Sequence, residues 1–233
     1  MTSYVLIHGG AHAGWCWDRL RPLLESDQRV QRVLARDLPG HGSRLGDKEQ
    51  GDVTLEDYIA AIAETVRHAD LRDVVLVGHS LAGVSVPQAA ARVADRIKRL
   101  VMLSALIPDE GKTGLDMMAA NPSQRSQRDH DMQAEYRRMF CNDYDDEALI
   151  EWHMSKLGPQ PPMPMKTPVS RADLPKDLPS TYIVLLQDQA LVPPFQRRLL
   201  QNLPDTEVVE LDAGHSAMVS KPKELAEVLL RYA

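Results

Sequence analysis

The segment that most constrains the fold is a run of four β-branched or aliphatic residues, 74–77, followed directly by the turn Gly78-His79-Ser80. Such a run predicts a strand that is buried on both faces, as in a parallel sheet. The residues that follow, 81–97, have helical character. Strands that alternate with helices along a chain imply a parallel sheet covered on both faces. This segment therefore predicts an α/β protein.

The same alternation extends over most of the chain. We therefore predict a mostly parallel central sheet with helices on both faces. The remaining predicted strands are 3–7, 30–35, 99–103, 182–186 and 207–211, and the remaining predicted helices are 17–25, 56–67, 195–202 and 222–232.

Residues 109–178 interrupt this pattern. They are polar, rich in methionine and helical rather than strand-like in their periodicity. An insertion of this length is too long for a plain loop, so we predict a helical cap or lid. The chain then divides into an α/β core, residues 1–108 and 179–233, and a cap, residues 109–178.

Composition and charge narrow the classes of function. The chain has 233 residues, of which 43% are hydrophobic, and this suits one domain with a sizeable core. The net charge is −6 and the basic residues are scattered, whereas neutralising nucleic-acid phosphates needs clustered Lys and Arg. No apolar stretch approaches the roughly 20 residues that cross a bilayer, and the N-terminus does not resemble a signal peptide. We expect a cytoplasmic protein with no nucleic-acid partner and no membrane span.

The sequence has no pattern typical of a metal site. Cys16 and Cys141 are the only cysteines, and a pair this sparse predicts reduced thiols rather than a disulfide framework. His8 and His12 could suggest a metal site, but no carboxylate or third ligand stands at a suitable spacing. We predict no metal and no cofactor. The oligomeric state stays open, with a homodimer as one option.

The turn at Ser80 has the composition of a nucleophile elbow. A serine on a tight strand-to-helix turn projects its Oγ from the C-terminal end of the strand, and the residues two positions away must be small. Here they are Gly78 and Ala82, where the usual pattern has glycine at both. The amide of Leu81 would lie at a helix N-terminus and could donate to an oxyanion. The alternative is an ordinary turn with Ser80 as the N-cap of the helix.

A second amide donor is expected from the loop after an early strand. His8-Gly9-Gly10 follows the first predicted strand, and small residues there let the backbone approach a substrate carbonyl. Gly10 is our candidate donor, paired with Leu81. The alternative is a glycine-rich turn that binds no ligand.

A base and an acid are expected after later strands, in the chain order Ser, Asp, His. His215 lies after the last predicted strand and before the last predicted helix. Asp188 follows the preceding strand and could accept Nδ1–H of that imidazole, which would fix its tautomer. Asp212 is the rival acid, but it lies too near His215 along a strand end to face it. The other rival position holds Ser104 and Ala105, which cannot serve as the acid.

Taken in order, these motifs resemble the α/β-hydrolase superfamily, and within it the branch of plant methylesterases, hydroxynitrile lyases and related bacterial esterases. The resemblance spans nearly the whole chain. It implies the α/β-hydrolase fold and a catalytic triad of Ser80, His215 and Asp188. The segments that carry it are His8-Gly9-Gly10, Asp37-Leu38-Pro39-Gly40-His41-Gly42, Gly78-His79-Ser80-Leu81-Ala82-Gly83, Asp188 with Val192-Pro193-Pro194-Phe195-Gln196, and Gly214-His215, joined in the predicted cap by Phe140-Cys141-Asn142-Asp143 and Pro159-Gln160-Pro161.

The branch carries two chemistries on one triad. Its cyanohydrin-cleaving members generally have Thr after the first-strand His and Lys after the triad His, whereas this sequence has Gly9 and Ser216. Without the Lys ammonium, a leaving cyanide would lack its electrostatic partner. We therefore expect a serine esterase that acts on small, mainly apolar or aryl carboxylic esters. Open alternatives are a hydroxynitrile-lyase-like carbon–carbon lyase, an amide or lactone hydrolase, and a non-catalytic small-ligand receptor on the same fold.

The methionines bear on the substrate pocket. Seven of the ten lie in the predicted cap, and methionine suits adaptable apolar walls, although ordinary packing of cap helices on the core explains them equally well. We expect Gly9, His12, Trp152 and Met218 to contact the substrate. The cap methionines are Met117, Met118, Met132, Met139, Met154, Met163 and Met165.

Overall fold

The computed structural model describes residues 1–122, 131–203 and 205–233. In this part of the chain, six parallel strands form one sheet in the order β2-β1-β3-β4-β5-β6. The predicted parallel α/β architecture is confirmed. The strands are β1 (Thr2–Ile7), β2 (Val30–Arg36), β3 (Val74–His79), β4 (Ile97–Leu103), β5 (Ser180–Leu185) and β6 (Glu207–Leu211).

Helices cover both faces of this sheet, because alternate residues of a strand point to opposite sides. The described α-helices are α1 (Arg21–Glu25), α2 (Leu55–His68), α3 (Val86–Arg92), α4 (Gly114–Ala119), α5 (Met132–Phe140), α6 (Glu147–Lys156), α7 (Met163–Lys166), α8 (Pro193–Leu199), α9 (Ala217–Ser220) and α10 (Pro222–Leu229). In β1, Val5 and Ile7 join a cluster with apolar residues of α2, α3 and α8, and Tyr4 and Leu6 join a second cluster with residues of α1 and α10.

The helix predicted for residues 81–97 is wrong in its extent. Ser80–Val84 forms a 3-10 turn, α3 begins only at Val86, and Ile97 is the first residue of β4. Pro87 lies in the first turn of α3, where its missing N–H costs nothing, so it favours a new helix start. The β-branched Ile97 instead pairs with β3 in the sheet.

The predicted helix 17–25 is also shorter than expected. The structure has a 3-10 turn over Gly14–Trp17, and α1 begins at Arg21 with Pro22 in its first turn. Proline is well placed at a helix start and poorly placed further in, which explains why the helix does not reach back to residue 17.

The chain between β4 and β5 contains α4, α5, α6 and α7, with no strand in its described residues. Residues 123–130 of the predicted cap lie outside the described residues. No helix in the described part of the chain is both long and apolar enough to cross a membrane. Within the same residues, no group of three or more His, Cys, Asp or Glu side chains is arranged to hold a metal ion.

Candidate active site

Three of the predicted residues meet at the C-terminal edge of the sheet. Ser80 follows β3, Asp188 follows β5 and His215 follows β6. The carboxyl ends of parallel strands share one edge of a sheet, so side chains far apart in sequence come together there.

The backbone at Ser80 is held in a strained conformation. Its φ of +53° lies in the left-handed region, which non-glycine residues rarely adopt. Its carbonyl accepts a 2.7 Å hydrogen bond from the amide of Leu106. Close packing demands small neighbours: a Cβ at Gly9 would lie 2.8 Å from the Ser80 Cβ, and one at Gly83 would collide with the backbone of Leu106. Strain of this kind at a serine is typical of a functional turn.

The imidazole of His215 bridges the other two side chains. Its Nε2 lies 2.9 Å from Ser80 Oγ, and its Nδ1 lies 2.6 Å from Asp188 Oδ2. The carboxylate can only accept, so Nδ1 carries the proton and the lone pair of Nε2 faces the serine hydroxyl. This arrangement can remove a proton from Ser80 and stabilise the imidazolium that results.

Asp188 is fully buried, and its carboxylate is saturated with hydrogen bonds. Oδ1 accepts from the amides of Ala190 at 2.7 Å and Leu191 at 2.8 Å. Oδ2 accepts from His215 and also from the hydroxyl of Ser104 at 2.6 Å. Hydrogen bonds to the ionised form compensate the cost of burying the charge.

Sequence reasoning missed the part that Ser104 plays. We dismissed its position because serine cannot act as the acid, yet Ser104 directly follows β4 and donates to Asp188, which follows β5. The available signal was a small polar residue at the carboxyl end of a neighbouring strand.

The two residues predicted to supply amide donors, Gly10 and Leu81, are neighbours and lie on one cavity wall with Ser80. A Cβ added to Gly10 would lie 3.2 Å from Leu81 Cδ1. Leu81 is the second residue of the 3-10 turn, and amides in the first turn of a helix have no acceptor within it. The carbonyl of Gly9 accepts from His8 Nδ1 at 2.8 Å, and the amide of Gly10 at the other end of that peptide unit has no acceptor among the described residues. Such amides can stabilise an oxyanion.

A cavity of about 180 Å³ opens onto these groups, with Gly10, Ser80, Leu81 and His215 on its wall. Six other described wall residues come from residues 109–178, and three of the seven methionines noted above are among them. They are Met118, Tyr136, Met139, Phe140, Gln160 and Met165.

Four residues that we expected to contact the substrate are not on this wall. Gly9 packs behind Ser80, and His12 is buried with its Nδ1 2.7 Å from the carbonyl of Gly10. Trp152 packs edge to face on the indole of Trp15. Met218 is fully buried in the core cluster that includes residues of α1 and α10. The sequence did not show which surface each of these four residues faces.

Five described histidines near the site are uncharged at neutral pH. Burial lowers the pKa of His8 and of His153 to about 4, and that of His41 to about 3. Burial and neighbouring imidazoles lower the pKa of His12 and of His79 well below the usual range. Each neutral ring offers one donor and one acceptor, so these histidines act as fixed hydrogen-bond groups.

The full chain has recognised relatives. It is 30% identical to methylesterase 9 of Arabidopsis thaliana, covering 100% of this chain and 98% of the relative. It is 29% identical to a pyrethroid hydrolase of Sphingobium wenxiniae, covering 100% of this chain and 88% of that relative. A solved extracellular alpha/beta-hydrolase from a Paenibacillus species matches the fold with a TM-score of 0.84 at 22% identity, covering 100% of this chain and 99% of that one.

The family model described as the alpha/beta hydrolase family matches residues 4–228. That range contains all six strands of the described sheet except the first two residues of β1, together with Ser80, Asp188 and His215. The resemblance drawn from the motifs is therefore confirmed, and the chain belongs to the alpha/beta hydrolase family.

Proposed function

We propose that this chain is a serine esterase that cleaves small, mainly apolar or aryl carboxylic esters through an acyl-enzyme at Ser80. One observation carries the proposal: His215 links the Ser80 hydroxyl to the buried Asp188 carboxylate at 2.9 and 2.6 Å. Relatives that match the whole chain are named methylesterase and pyrethroid hydrolase, and the chain is an esterase of the α/β-hydrolase type.

The proposed reaction uses groups that are already in hydrogen-bond reach. His215 takes the proton of Ser80 as the Oγ attacks the ester carbonyl, and Asp188 stabilises the imidazolium. The amides of Gly10 and Leu81 stabilise the oxyanion of the tetrahedral intermediate. His215 then protonates the leaving alcohol, and water repeats the two steps on the acyl-enzyme.

The cavity supports a small and uncharged substrate. Its volume is about 180 Å³, and none of its described wall residues carries a permanent charge. A lysine that could receive a leaving cyanide is likewise missing from that described wall, which favours ester hydrolysis over cyanohydrin cleavage. Because six of the described wall residues come from residues 109–178, we assign this segment as the cap that closes the substrate pocket.

The substrate class can be tested with a panel of p-nitrophenyl esters from acetate to palmitate, extended to aryl esters, methyl esters, lactones, amides and mandelonitrile. We expect kcat/KM to be highest for short acyl or aryl esters and to fall at least about tenfold for long chains that exceed the cavity. A fluorophosphonate probe should label the wild-type protein at Ser80. Cleavage of long-chain triglycerides alone, of mandelonitrile without any ester, or an absence of labelling would contradict the proposal.

Removing the hydroxyl of Ser104 should slow this reaction without abolishing it. We expect Ser104→Ala to lower kcat about tenfold, since a hydrogen bond to a charged group is worth about 1.5–3 kcal/mol and the carboxylate keeps its other donors. The measurement is steady-state hydrolysis of a short p-nitrophenyl ester. Ser3→Ala is the matched control, because Ser3 is a fully buried serine near the start of β1, at the opposite edge of the sheet. A wild-type kcat in Ser104→Ala would contradict the assignment.

A further inference from the structure

The loop after β1 carries the amide of Gly10, and the peptide units that follow this amide are held from several sides. The carbonyl of Gly10 accepts from His12 Nδ1 at 2.7 Å. The amide of Ala11, at the other end of the same peptide unit, donates to Gln160 Oε1 at 3.2 Å. The carbonyl of Ala11 accepts from the amide of Gly158 at 2.8 Å. Gln160 and Gly158 belong to the cap, so the cap is hydrogen-bonded directly to this loop.

His12 is in turn held by two further cap residues. Its Nε2 lies 3.0 Å from His153 Nε2 in α6, and His153 Nδ1 lies 2.6 Å from the hydroxyl of Tyr144, just before α6. His12 and His153 are buried, and Tyr144 is partly buried. The three side chains therefore connect the cap to the carbonyl of Gly10 in one line.

The direction of each hydrogen bond in this line follows from its last acceptor. A carbonyl can only accept, so His12 carries its proton on Nδ1 and its Nε2 must accept. His153 then donates from Nε2 and accepts at Nδ1 from the Tyr144 hydroxyl. Burial lowers the pKa of both imidazoles, so each ring holds a single proton at neutral pH. Only one arrangement of tautomers satisfies all three bonds.

We propose that His153 and Tyr144 are positioning residues for the oxyanion-binding amide of Gly10, acting through the tautomer and orientation of His12. The proposal rests on the proposed esterase function. It makes the cap part of the catalytic arrangement rather than only a wall of the pocket. None of Tyr144, His153 and His12 lines the described cavity, so their effect is expected in kcat and not in substrate binding.

The expected size follows from known oxyanion holes. Deleting one donor typically lowers kcat by about 10²–10³-fold, and a donor that is retained but misoriented should cost less, about 10–100-fold. His153→Phe keeps the ring volume and removes the donor to His12. We expect it to lower kcat about 10–100-fold with KM within about twofold. His153→Gln, whose amide can still donate toward His12, should recover most of the activity.

A second readout separates oxyanion binding from general damage. A trifluoromethyl ketone forms a tetrahedral adduct with the serine and places its oxygen at the oxyanion site. Its affinity should fall in parallel with kcat in His153→Phe. The pH midpoint of kcat/KM should stay at the wild-type value, because the contact between His215 and Asp188 is unchanged. Leu149→Ala is the matched control, because Leu149 lies on the same helix and packs against the core, but its side chain makes no hydrogen bond to His12, His153 or Tyr144.

The outcomes are distinct. A kcat-specific loss in His153→Phe with recovery in His153→Gln supports the proposal. A wild-type kcat in His153→Phe overturns it, and so does an equal loss in Leu149→Ala at a matched fall in Tm. If His153→Phe does not fold, Tyr144→Phe is the test variant, because it removes the hydroxyl that fixes the tautomer of His153. A lowered kcat at constant KM then supports the proposal, and an unchanged kcat overturns it. A wild-type protein inactive on every ester would refute the esterase function instead.

Discussion

Replacing Ser80 by alanine is expected to lower kcat for p-nitrophenyl acetate by at least about 10⁴-fold and up to about 10⁶-fold, as removal of a triad nucleophile does elsewhere. Without the Oγ no acyl-enzyme forms, and the remaining groups can only bind and polarise the ester. The residual rate should match hydrolysis that is assisted by the oxyanion amides alone. Intact-mass measurement after fluorophosphonate treatment should show an adduct on the wild-type protein and none on Ser80→Ala.

The fold should survive this change. Alanine has the same backbone requirements as serine at the positive φ of residue 80, and the lost contact is one hydrogen bond to His215. We expect Tm to shift by no more than about 4 °C, which corresponds to about 1 kcal/mol in a domain of this size. Ser85→Ala is the control, because this buried serine donates only to the nearby Ala82 carbonyl among the described residues. Unchanged turnover in Ser80→Ala would refute the nucleophile.

Acidification is expected to destabilise the protein strongly at pH values where most carboxylates are still ionised. Burial lowers the pKa of His8 and His153 to about 4 and that of His41 to about 3 in the folded state. An unfolded histidine has a pKa near 6.5. Between these values the unfolded chain binds protons that the folded chain does not, so the free energy of unfolding falls as the pH falls.

Each of these buried histidines contributes stability that is lost on acidification. The stability associated with a neutral buried histidine is fully present above about pH 6.5 and is lost as the pH falls toward the folded pKa. A pKa of about 4 in the folded state corresponds to a loss of about 3 kcal/mol by that pH. Three such residues together lose roughly 10 kcal/mol, comparable with the whole free energy of unfolding of a typical domain. His12 and His79 act in the same direction.

Urea unfolding followed by tryptophan fluorescence at pH 7.5, 6.5, 5.5 and 4.5 measures this loss. We expect a nearly constant free energy above about pH 7 and a steep fall below about pH 6. His41→Gln should reduce the slope by about one proton, or about 1.4 kcal/mol per pH unit, because His41 is buried against Tyr58 and His8. His68→Gln is the control, since His68 is exposed at the end of α2. A stability that stays flat from pH 7.5 to 4.5 would contradict the prediction.

The carboxyl edge of the sheet explains why so much of the site was predictable. Each strand is identified by its own apolar run, and the residue after each run is known from the sequence. Ser80 and His215 were therefore placed by their positions after predicted strands, and Asp188 was chosen over Asp212 because Asp212 lies too near His215 along a strand end to face it. In the structure, His215 lies 2.9 Å from the Ser80 hydroxyl and 2.6 Å from the Asp188 carboxylate. Prediction worked here because parallel strands bring their ends together regardless of the connections between them.

The helix boundaries and the pocket wall were less predictable. The segment 81–97 looked like one helix, but Pro87 lies in the first turn of a new helix and the β-branched Ile97 begins β4. Trp152 and Met218 were expected to contact the substrate, yet both pack in or against the core. Apolar character predicts burial, but the rotation of a short helix about its axis decides which interior surface a side chain meets.

The sequence by itself determined the parallel α/β sheet, the serine turn after β3 and the order of the proposed nucleophile, acid and base, because strand periodicity and the need for small residues in a turn are local properties. Only the tertiary structure decided that Ser104 supports Asp188, that Tyr136, Phe140 and Gln160 face the cavity, and that His12 pairs with His153. The two histidines are 141 positions apart, and their contact depends on how the cap packs on the core. No local sequence pattern predicts a contact between two residues so far apart in the chain.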